Sequence, residues 1–132
     1  MKALTAMQAA SWVGRQSEPH LGGVAAHLYA EFDGGALDAD RLRQAVEALY
    51  QVHPMLCLRI NADGQQFTDG PLPASLLRVD DLRAATPTEC EAFLAERRRR
   101  GNTRLPDLTA AEACDISLTL LSDDRSRLHV GL

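Results

Sequence analysis

The chain has 132 residues, of which 45% are hydrophobic and 24% are charged, a balance typical of a single globular domain. Its formal net charge of -4 excludes a general nucleic-acid-binding protein, because neutralising phosphates requires an excess of Lys and Arg. No segment approaches the roughly 18 apolar residues of a membrane-spanning helix, and no signal peptide is recognisable. We therefore expect a cytoplasmic protein with neither a nucleic-acid nor a membrane partner.

The cysteines and histidines are scattered along the chain. The odd cysteine count and the absence of a CxxC pair argue against a disulfide framework and a thiolate metal site, so we expect buried, unpaired thiols at Cys57, Cys90 and Cys114. The histidines lack the i, i+4 or short-loop spacing of a zinc site; they are His20, His27, His53 and His129. The sequence predicts no metal centre.

The first third of the chain predicts helix, strand and helix. Thr5 is a suitable N-cap for a helix over residues 6–12, which Gly14 and Arg15 are expected to end. Alternation then predicts a half-buried strand with one apolar face, formed by Val24, Ala26, Leu28, Ala30 and Phe32. The second helix begins at a cap, Asp38 or Asp40, and ends before Pro54. Its apolar face contains Leu42, Ala45, Val46 and Leu49.

The middle of the chain predicts short strands and a third helix. Residues 55–60 are expected to form a strand whose hairpin turn lies at Asp63 and Gly64, with the return strand over residues 66–68. A loop at Pro71 and Pro73 precedes a short strand or extended connection with Leu76, Leu77 and Val79. The run Thr86, Pro87, Thr88, Glu89 has the pattern of a capping box, so a helix is predicted from there to about Arg100.

The end of the chain predicts an antiparallel hairpin. Gly101 and Asn102 are expected to end the third helix, which turns Cys90, Phe93 and Leu94 to a core. Residues 102–113 form a loop or partial helix. Two alternating segments then flank a turn at residues 122–125, with apolar positions at Ile116, Leu118, Leu120, Leu128, Val130 and Leu132. Together the elements predict an α+β fold, a single domain over residues 1–132 with helices packed on one side of a mixed or antiparallel sheet.

A motif near the N-terminus has a known counterpart. Six residues fit the pattern Leu-Thr-x-x-Gln-x-Ala-Tyr-x-x-Gly-Arg in register, although Ser11 replaces the tyrosine: Leu4, Thr5, Gln8, Ala10, Gly14 and Arg15. This pattern resembles the opening of heterocyclization domains, the cyclizing branch of the condensation family in nonribosomal peptide synthetases. Further on, His53-Pro54-Met55-Leu56 resembles a His-Pro-Met-Leu step of the family, with Val52 in place of an arginine. Residues 21–33, 42–49 and 116–132 resemble its first strand, the following helix and the hairpin before its catalytic motif.

The resemblance implies a fold and a context. Condensation-family domains consist of two chloramphenicol-acetyltransferase-like lobes, and this chain would be most of the N-terminal lobe, hence an incomplete domain. The phosphopantetheine arm of a peptidyl or aryl carrier protein would deliver substrates, and no cofactor would bind directly. The family's Asp-x-x-x-x-Asp motif would begin one position after Leu132, and further catalytic residues come from the other lobe. We therefore expect no catalytic residue in this chain, which alone would be inactive.

Two groups of residues are candidates for binding substrate or carrier protein. In the first, Arg15 either lines the entry of an acyl or phosphopantetheine chain, beside Gly14, or binds the terminal carbonyls of its own helix. Trp12 is either a packing anchor or a binding platform. The second group is a basic run at the end of the third helix, which is either a solvated face or a docking patch for an acidic carrier protein: Arg97, Arg98, Arg99 and Arg100.

Two histidines are weaker candidates. His53 is expected to be structural rather than a general base, because no Ser, Cys or carboxylate is placed beside it by the sequence. His129 lies on the face opposite Leu128 and Val130 and has no partner nearby in sequence. Neither residue is predicted to be functional.

Three functional hypotheses remain open. The chain is part of a cyclizing condensation enzyme, completed by the remainder of a synthetase; it is a stand-alone, non-catalytic module that binds a carrier protein or synthetase partner; or it is an inactive relict. In the first, the complete domain condenses carrier-bound acyl groups with Cys, Ser or Thr and cyclizes the product to a thiazoline or oxazoline, for instance in siderophore biosynthesis. Uncovered strand edges and apolar surface also predict self-association or a partner.

Overall fold

The computed structural model describes residues 1–16 and 27–132. The described residues form three helices, α1 (Ala6–Gln16), α2 (Ala39–Val52) and α3 (Pro87–Thr103). They also form seven strands, namely β1 (Lys2–Ala3), β2 (Tyr29–Gly34), β3 (Arg59–Ile60), β4 (Gln65–Phe67), β5 (Arg78–Asp81), β6 (Asp115–Ser122) and β7 (Arg125–Gly131). A 3-10 turn, Pro54–Cys57, joins α2 to β3.

The strands form two sheets. The main sheet has the order β2-β7-β6-β5, with β2 and β6 antiparallel to β7 and β5 parallel to β6. This confirms the predicted β6–β7 hairpin and the mixed sheet of an α+β fold. The smaller sheet has the order β1-β4-β3 and is antiparallel; its β3–β4 turn contains Gly64 at φ 72°, where glycine avoids the strain of a side chain.

Helices α2 and α3 lie on opposite faces of the main sheet, so the expectation that the helices share one side is wrong. Val46 and Tyr50 of α2 pack with Ile116 and Leu118 of β6 in the apolar core. On the opposite face, α3 contacts polar side chains of the sheet, and Arg97 is its most buried charged residue, at 3% exposed. The sheet therefore separates an apolar layer from a polar one.

The orientation predicted for the first strand is also wrong. Leu28 and Phe32 are 62% and 56% exposed, while Tyr29 and Glu31 face α3, where Glu31 accepts hydrogen bonds from Arg98 and the Tyr29 ring lies beside Arg97. The polar side chains turn inward because partners on α3 and β7 satisfy their hydrogen bonds. The predicted positions Val24 and Ala26 lie outside the described residues.

Three predicted boundaries are wrong. Helix α1 continues through Gly14 and Arg15, and α3 continues through Gly101 and Asn102. A glycine ends a helix by adopting a left-handed conformation, and of the described glycines only Gly64 has a positive φ. The strand predicted over residues 55–60 is confined to Arg59–Ile60, because the 3-10 turn precedes it.

The predicted helix starts are confirmed. The Asp38 carboxylate accepts hydrogen bonds from the backbone N–H groups of Asp40 and Arg41 at the start of α2. At the start of α3, Thr86 and Glu89 form the reciprocal capping box, at 3.2 and 2.8 Å. Among the cysteines, Cys57 and Cys114 are buried as expected, whereas Cys90 is partly exposed. All three are free thiols.

Candidate binding site

An apolar cleft of about 360 Å³ lies beside α1. One wall is α1 itself, and the others come from β3, from the loop of residues 104–114 between α3 and β6, and from the end of β7. Its lining includes all three candidates from the opening motif, Trp12, Gly14 and Arg15, together with Met7, Leu58, Ile60, Pro106, Leu108, Ala113 and Leu132. We call this space the α1 cleft.

A reciprocal cap begins α1, and two contacts hold the helix against the small sheet. Thr5 and Gln8 cap the helix reciprocally, since the Thr5 N–H donates to the Gln8 side chain at 2.9 Å and the Gln8 N–H donates to the Thr5 hydroxyl at 3.3 Å. The amides of Gln8 and Gln66 hydrogen-bond each other. Trp12 lies over Gly64, where a Cβ would be 4.0 Å from the indole. Trp12 is thus a packing anchor between α1 and the β3–β4 turn that also lines the α1 cleft.

Arg15 points across the α1 cleft to the loop of residues 104–114. Its guanidinium donates a hydrogen bond to the carbonyl of Pro106, a partner outside its own helix. Burial lowers the pKa of Arg15 below its ordinary value, while the carboxylate of Asp107 acts in the opposite direction. The cation therefore faces a carbonyl and a carboxylate of the loop.

The basic run of α3 does not form one exposed surface. Arg97 is buried and donates hydrogen bonds to Asp115 at 2.9 Å and to Ser117 at 3.2 and 3.1 Å. Its Cζ atom also lies 5.1 Å from the centre of the Tyr29 ring, within cation–π range. The prediction of a solvated or docking role is thus wrong for Arg97, which is part of the polar layer under α3.

The other three arginines of the run are exposed and paired with carboxylates. Arg98 forms a bidentate pair with Glu31 at 3.2 and 2.9 Å. Arg99 forms another with Glu96 at 2.9 and 2.7 Å, and Arg100 approaches Glu96 to 3.8 Å. Each positive charge is therefore partly neutralised within the protein.

His129 lies at the centre of the polar layer and is 0% exposed. Its Nδ1 atom is 2.7 Å from the Tyr29 hydroxyl and its Nε2 atom is 2.9 Å from the Thr119 hydroxyl. The Tyr29 hydroxyl also lies 3.0 Å from Glu31. Because a carboxylate only accepts, Tyr29 donates to Glu31 and accepts from Nδ1–H, which leaves Nε2 to accept from Thr119.

Burial lowers the pKa of His129 to about 4, aided by Arg97 and opposed by Glu31. The imidazole is thus neutral near neutral pH, in agreement with the tautomer inferred from its contacts. Burial also raises the pKa of Tyr29 to about 12. This hydrogen-bond chain fixes the sheet against α3; it lies apart from the α1 cleft lining.

Sequence reasoning missed the partners of His129, but a signal was present. In the strand register, Glu31 lies opposite His129 and His129 opposite Ser117. Along much of β2, β6 and β7 every second residue is polar, and the pairing of the strands places these polar residues on one face of the sheet. The alternation therefore indicates a polar layer once the strands are paired. By contrast, His53 is exposed at the end of α2 and donates its backbone N–H to Leu49.

The described part of the chain contains neither a metal-binding cluster nor a membrane-spanning helix. In residues 1–16 and 27–132, no group of three or more His, Cys, Asp or Glu side chains is arranged to hold a metal ion. Among the helices of the same part of the chain, none combines the length and apolarity required to cross a membrane.

Comparison with known proteins identifies relatives over the whole chain, although no family model matches it. Phenyloxazoline synthase MbtB of Mycobacterium sp. (strain MCS) is 45% identical over 130 residues, which is 98% of this chain and 11% of the relative. Pyochelin synthetase PchE of Pseudomonas aeruginosa is 36% identical over 88 residues, covering 67% of this chain and 6% of that protein. The chain thus spans about a tenth, or less, of the length of these curated relatives.

The fold has a close counterpart among solved structures. The cyclization-docking bidomain of EpoB from Sorangium cellulosum superposes with a TM-score of 0.90 at 25% identity, over 99% of this chain and 26% of that chain. The first condensation domain of the CDA synthetase superposes with a TM-score of 0.71 at 21% identity, over 99% of this chain and 35% of that chain, which supports the fold alone. The expected incomplete, chloramphenicol-acetyltransferase-like lobe is thereby confirmed.

Proposed function

Because the chain belongs to the heterocyclization-domain family of nonribosomal peptide synthetases and corresponds to the N-terminal part of such a domain, we propose that it forms the lobe of a cyclizing enzyme that faces the carrier protein. The complete enzyme would join a carrier-bound acyl group to Cys, Ser or Thr and close a thiazoline or oxazoline ring. The observation that supports this proposal is the similarity to phenyloxazoline synthases over 98% of the chain. The names of these relatives, with pyochelin synthetase, favour a siderophore-type pathway.

We further propose that the α1 cleft receives the phosphopantetheine arm of a carrier protein. Such an arm is long, thin and flexible, and the α1 cleft is an open, largely apolar groove bordered by Trp12, Gly14 and Arg15. At Gly14, a Cβ would have nothing within 4 Å, so this glycine leaves open space along the helix. Apolar walls with few polar groups are typical of small-molecule sites.

The partners follow from the same proposal. The carrier protein, peptidyl or aryl, would dock where its arm reaches the α1 cleft, and the rest of the synthetase would complete the domain. Arg98, Arg99 and Arg100 remain candidates for contact with an acidic carrier protein, since complementary charge accelerates encounter even where charges are paired. The free thiols Cys57, Cys90 and Cys114 accord with a reducing, cytoplasmic location.

We also propose that the isolated chain self-associates. Phe32 projects from the edge strand β2 and Leu28 directly precedes that strand, and both are more than half exposed. An edge strand with apolar side chains favours pairing with another chain. Light scattering over a range of concentrations tests this proposal, and a mass that stays monomeric at every concentration contradicts it.

Reconstitution tests the proposed enzyme. The purified chain is mixed with the remainder of a phenyloxazoline synthase cyclization domain, expressed separately, with an aryl-loaded carrier protein and a carrier protein loaded with Ser or Thr. Mass spectrometry of the carrier-bound products should reveal the amide and the amide less one water, and only when the chain is present. Carrier binding without either product would support the hypothesis of a non-catalytic module. Stable assembly of the chain with the remainder of the domain, but with neither carrier binding nor product, would contradict both hypotheses.

Blocking the α1 cleft tests the proposed arm site. The Gly14→Leu variant places a side chain into open space, so it should fill the α1 cleft without disturbing the fold. We expect it to weaken binding of a carrier protein bearing the arm by about tenfold, which corresponds to ~1.4 kcal/mol, and to leave binding of the arm-free carrier unchanged. Ala10→Leu is the matched control, since Ala10 is exposed on α1 and lies outside the cleft lining. Equal binding by both variants would contradict the arm site.

A further inference from the structure

The loop of residues 104–114 forms a wall of two clefts. On one side, Pro106, Leu108 and Ala113 line the α1 cleft. On the other, Arg104 and Ala111 line a second cleft of about 610 Å³ that extends to Tyr50 and Arg78. The position of this single loop therefore sets the shape of the α1 cleft.

Two contacts hold the loop against the wall formed by α1 and β3. The Arg15 guanidinium donates to the Pro106 carbonyl, and the backbone N–H of Ile60 donates to the Leu108 carbonyl at 2.9 Å. The first is a charge-assisted hydrogen bond from a half-buried side chain, which makes it the stronger of the two. Among the described residues, removing the Arg15 side chain would leave the Ile60–Leu108 backbone hydrogen bond to hold the loop against this wall.

The loop is internally ordered around Asp107. Its carboxylate accepts hydrogen bonds from the backbone N–H and the hydroxyl of Thr109, at 2.8 and 2.6 Å, and its carbonyl accepts from Ala110 and Glu112 at 3.2 and 3.1 Å. Ala111, at φ 62°, is only 1% exposed. A segment with this many internal bonds moves as a unit, so its attachment at Pro106 determines where the whole wall lies.

The hydrogen bond of Arg15 limits what the α1 cleft can accept. The guanidinium already donates to the Pro106 carbonyl, and the charges of Asp107 and Arg104 act on its pKa in opposite directions. A phosphate or carboxylate that binds Arg15 would have to compete with the existing hydrogen bond. A neutral chain would not disturb it.

We propose that Arg15 is a positioning residue that latches the loop of residues 104–114 as a wall of the α1 cleft, which consequently accepts a neutral, extended ligand segment and not an anion. This inference rests on the proposed function for the identity of the ligand. In that setting the amide-containing portion of the arm lies in the α1 cleft and its phosphate stays outside. The latch itself is a property of the protein without ligand.

Hydrogen exchange of the ligand-free protein tests the latch. In Arg15→Gln and Arg15→Ala, amide exchange at Ile60, whose N–H donates to the Leu108 carbonyl of the loop, should accelerate roughly tenfold, as expected for losing a charge-assisted hydrogen bond, with β6 and β7 unchanged. Arg15→Lys should lie between these variants and the wild type, because an ammonium can still donate to the Pro106 carbonyl. The control is Arg43→Ala, since Arg43 is exposed on α2 and pairs only with Asp40 among the described residues. Unchanged exchange at Ile60, or acceleration spread equally over β6 and β7, would overturn the latch.

Two small probes test the ligand preference. Trp12 is the only tryptophan of the chain and lines the α1 cleft, so its fluorescence reports binding of pantetheine and of 4′-phosphopantetheine. We expect the two to bind the wild type about equally, and both to bind Arg15→Ala more weakly. A tenfold or greater preference for the phosphate that disappears in Arg15→Ala would overturn the inference and make Arg15 an anion ligand. Binding of neither probe would contradict the proposed arm site and the ligand preference together, and the exchange measurement would then decide the latch by itself.

Discussion

Gly101 of α3 lies directly against the ring of Tyr29 in β2. A Cβ at position 101 would be 2.5 Å from Cδ2 and Cε2 of that ring, far inside ordinary contact. The ring cannot move away freely, because its hydroxyl is held by Glu31 and His129. This glycine therefore sets how closely α3 approaches the sheet, and hence how tightly the polar layer is closed.

Gly101→Ala is expected to destabilise the protein. Alanine favours a helix by about 1 kcal/mol over glycine, but forcing a methyl group into this contact costs ~1–3 kcal/mol, so the net loss should be up to about 2 kcal/mol. Gly14→Ala is the matched control, since it has the same helical gain and no atom within 4 Å of the new Cβ. It should stabilise the protein by up to ~1 kcal/mol. Urea unfolding measures both, and a stabilised Gly101→Ala would contradict the contact.

Arg97→Ala is expected to be strongly destabilising, unlike the same change two residues away. Arg97 is 3% exposed and satisfies Asp115 and Ser117, so removing it leaves the buried Ser117 without this partner and Asp115 without its counter-charge, at a cost of about 1–3 kcal/mol. Arg97→Lys should recover little, because a single ammonium cannot replace the planar, forked guanidinium. Arg99→Ala, at an exposed ion pair, should change stability by less than about 0.5 kcal/mol. Equal losses at the two positions, measured by thermal unfolding, would contradict the assignment.

The sequence predicted the elements whose signals are local. Caps depend on residues three or four apart, so the starts of α2 and α3 at Asp38 and Thr86 could be identified directly. The β6–β7 hairpin followed from alternation around a turn. The helix ends predicted at Gly14 and Gly101 were wrong, because a glycine within a helical pattern does not by itself mark a helix end; Gly101 stays inside α3 and leaves room for the ring of Tyr29.

The candidate site was predicted in part, for a similar reason. The opening motif identified Trp12, Gly14 and Arg15, and the structure brings all three to one cleft. The partner of Arg15, however, lies 91 residues away at Pro106, and nothing near Arg15 in the sequence indicates it. Likewise, four consecutive arginines share one sequence pattern, but their positions around the helix bury only Arg97.

His129 is expected to make stability depend on pH in the acidic range. Its pKa is near 4 in the folded protein and about 6.5 in an unfolded chain, so the unfolded state binds the extra proton first. Its contribution is fully present above pH ~6.5 and decreases as the pH falls towards 4, by up to about 3 kcal/mol. Urea unfolding at several pH values measures this, and His129→Gln should flatten the curve over that interval.

Nuclear magnetic resonance gives a direct check on the same residue. The ring nitrogens of native His129 should report a neutral imidazole with the proton on Nδ1 at pH 7, and no titration above about pH 5. Protonation would place a buried, charged imidazolium beside Arg97 and Arg127. Burial and both cations therefore disfavour the protonated form and lower the pKa of His129. A titration midpoint near 6.5 in the folded protein would contradict the buried polar layer.

Thiol reactivity should separate the three cysteines. Burial raises the pKa of Cys114, which reduces the reactive thiolate, and Cys57 is only 3% exposed in the core. Cys90 is partly exposed on α3, so a thiol reagent should label it first in the native protein. Cys57 and Cys114 should react only as fast as the protein opens, and denaturant should equalise all three. Mass spectrometry of labelled peptides identifies each site, and Cys90→Ser should remove the fast phase. Rapid labelling of Cys57 or Cys114 in the native state would show that the apolar core between α2 and β6 opens without global unfolding, contrary to the packing described for that core.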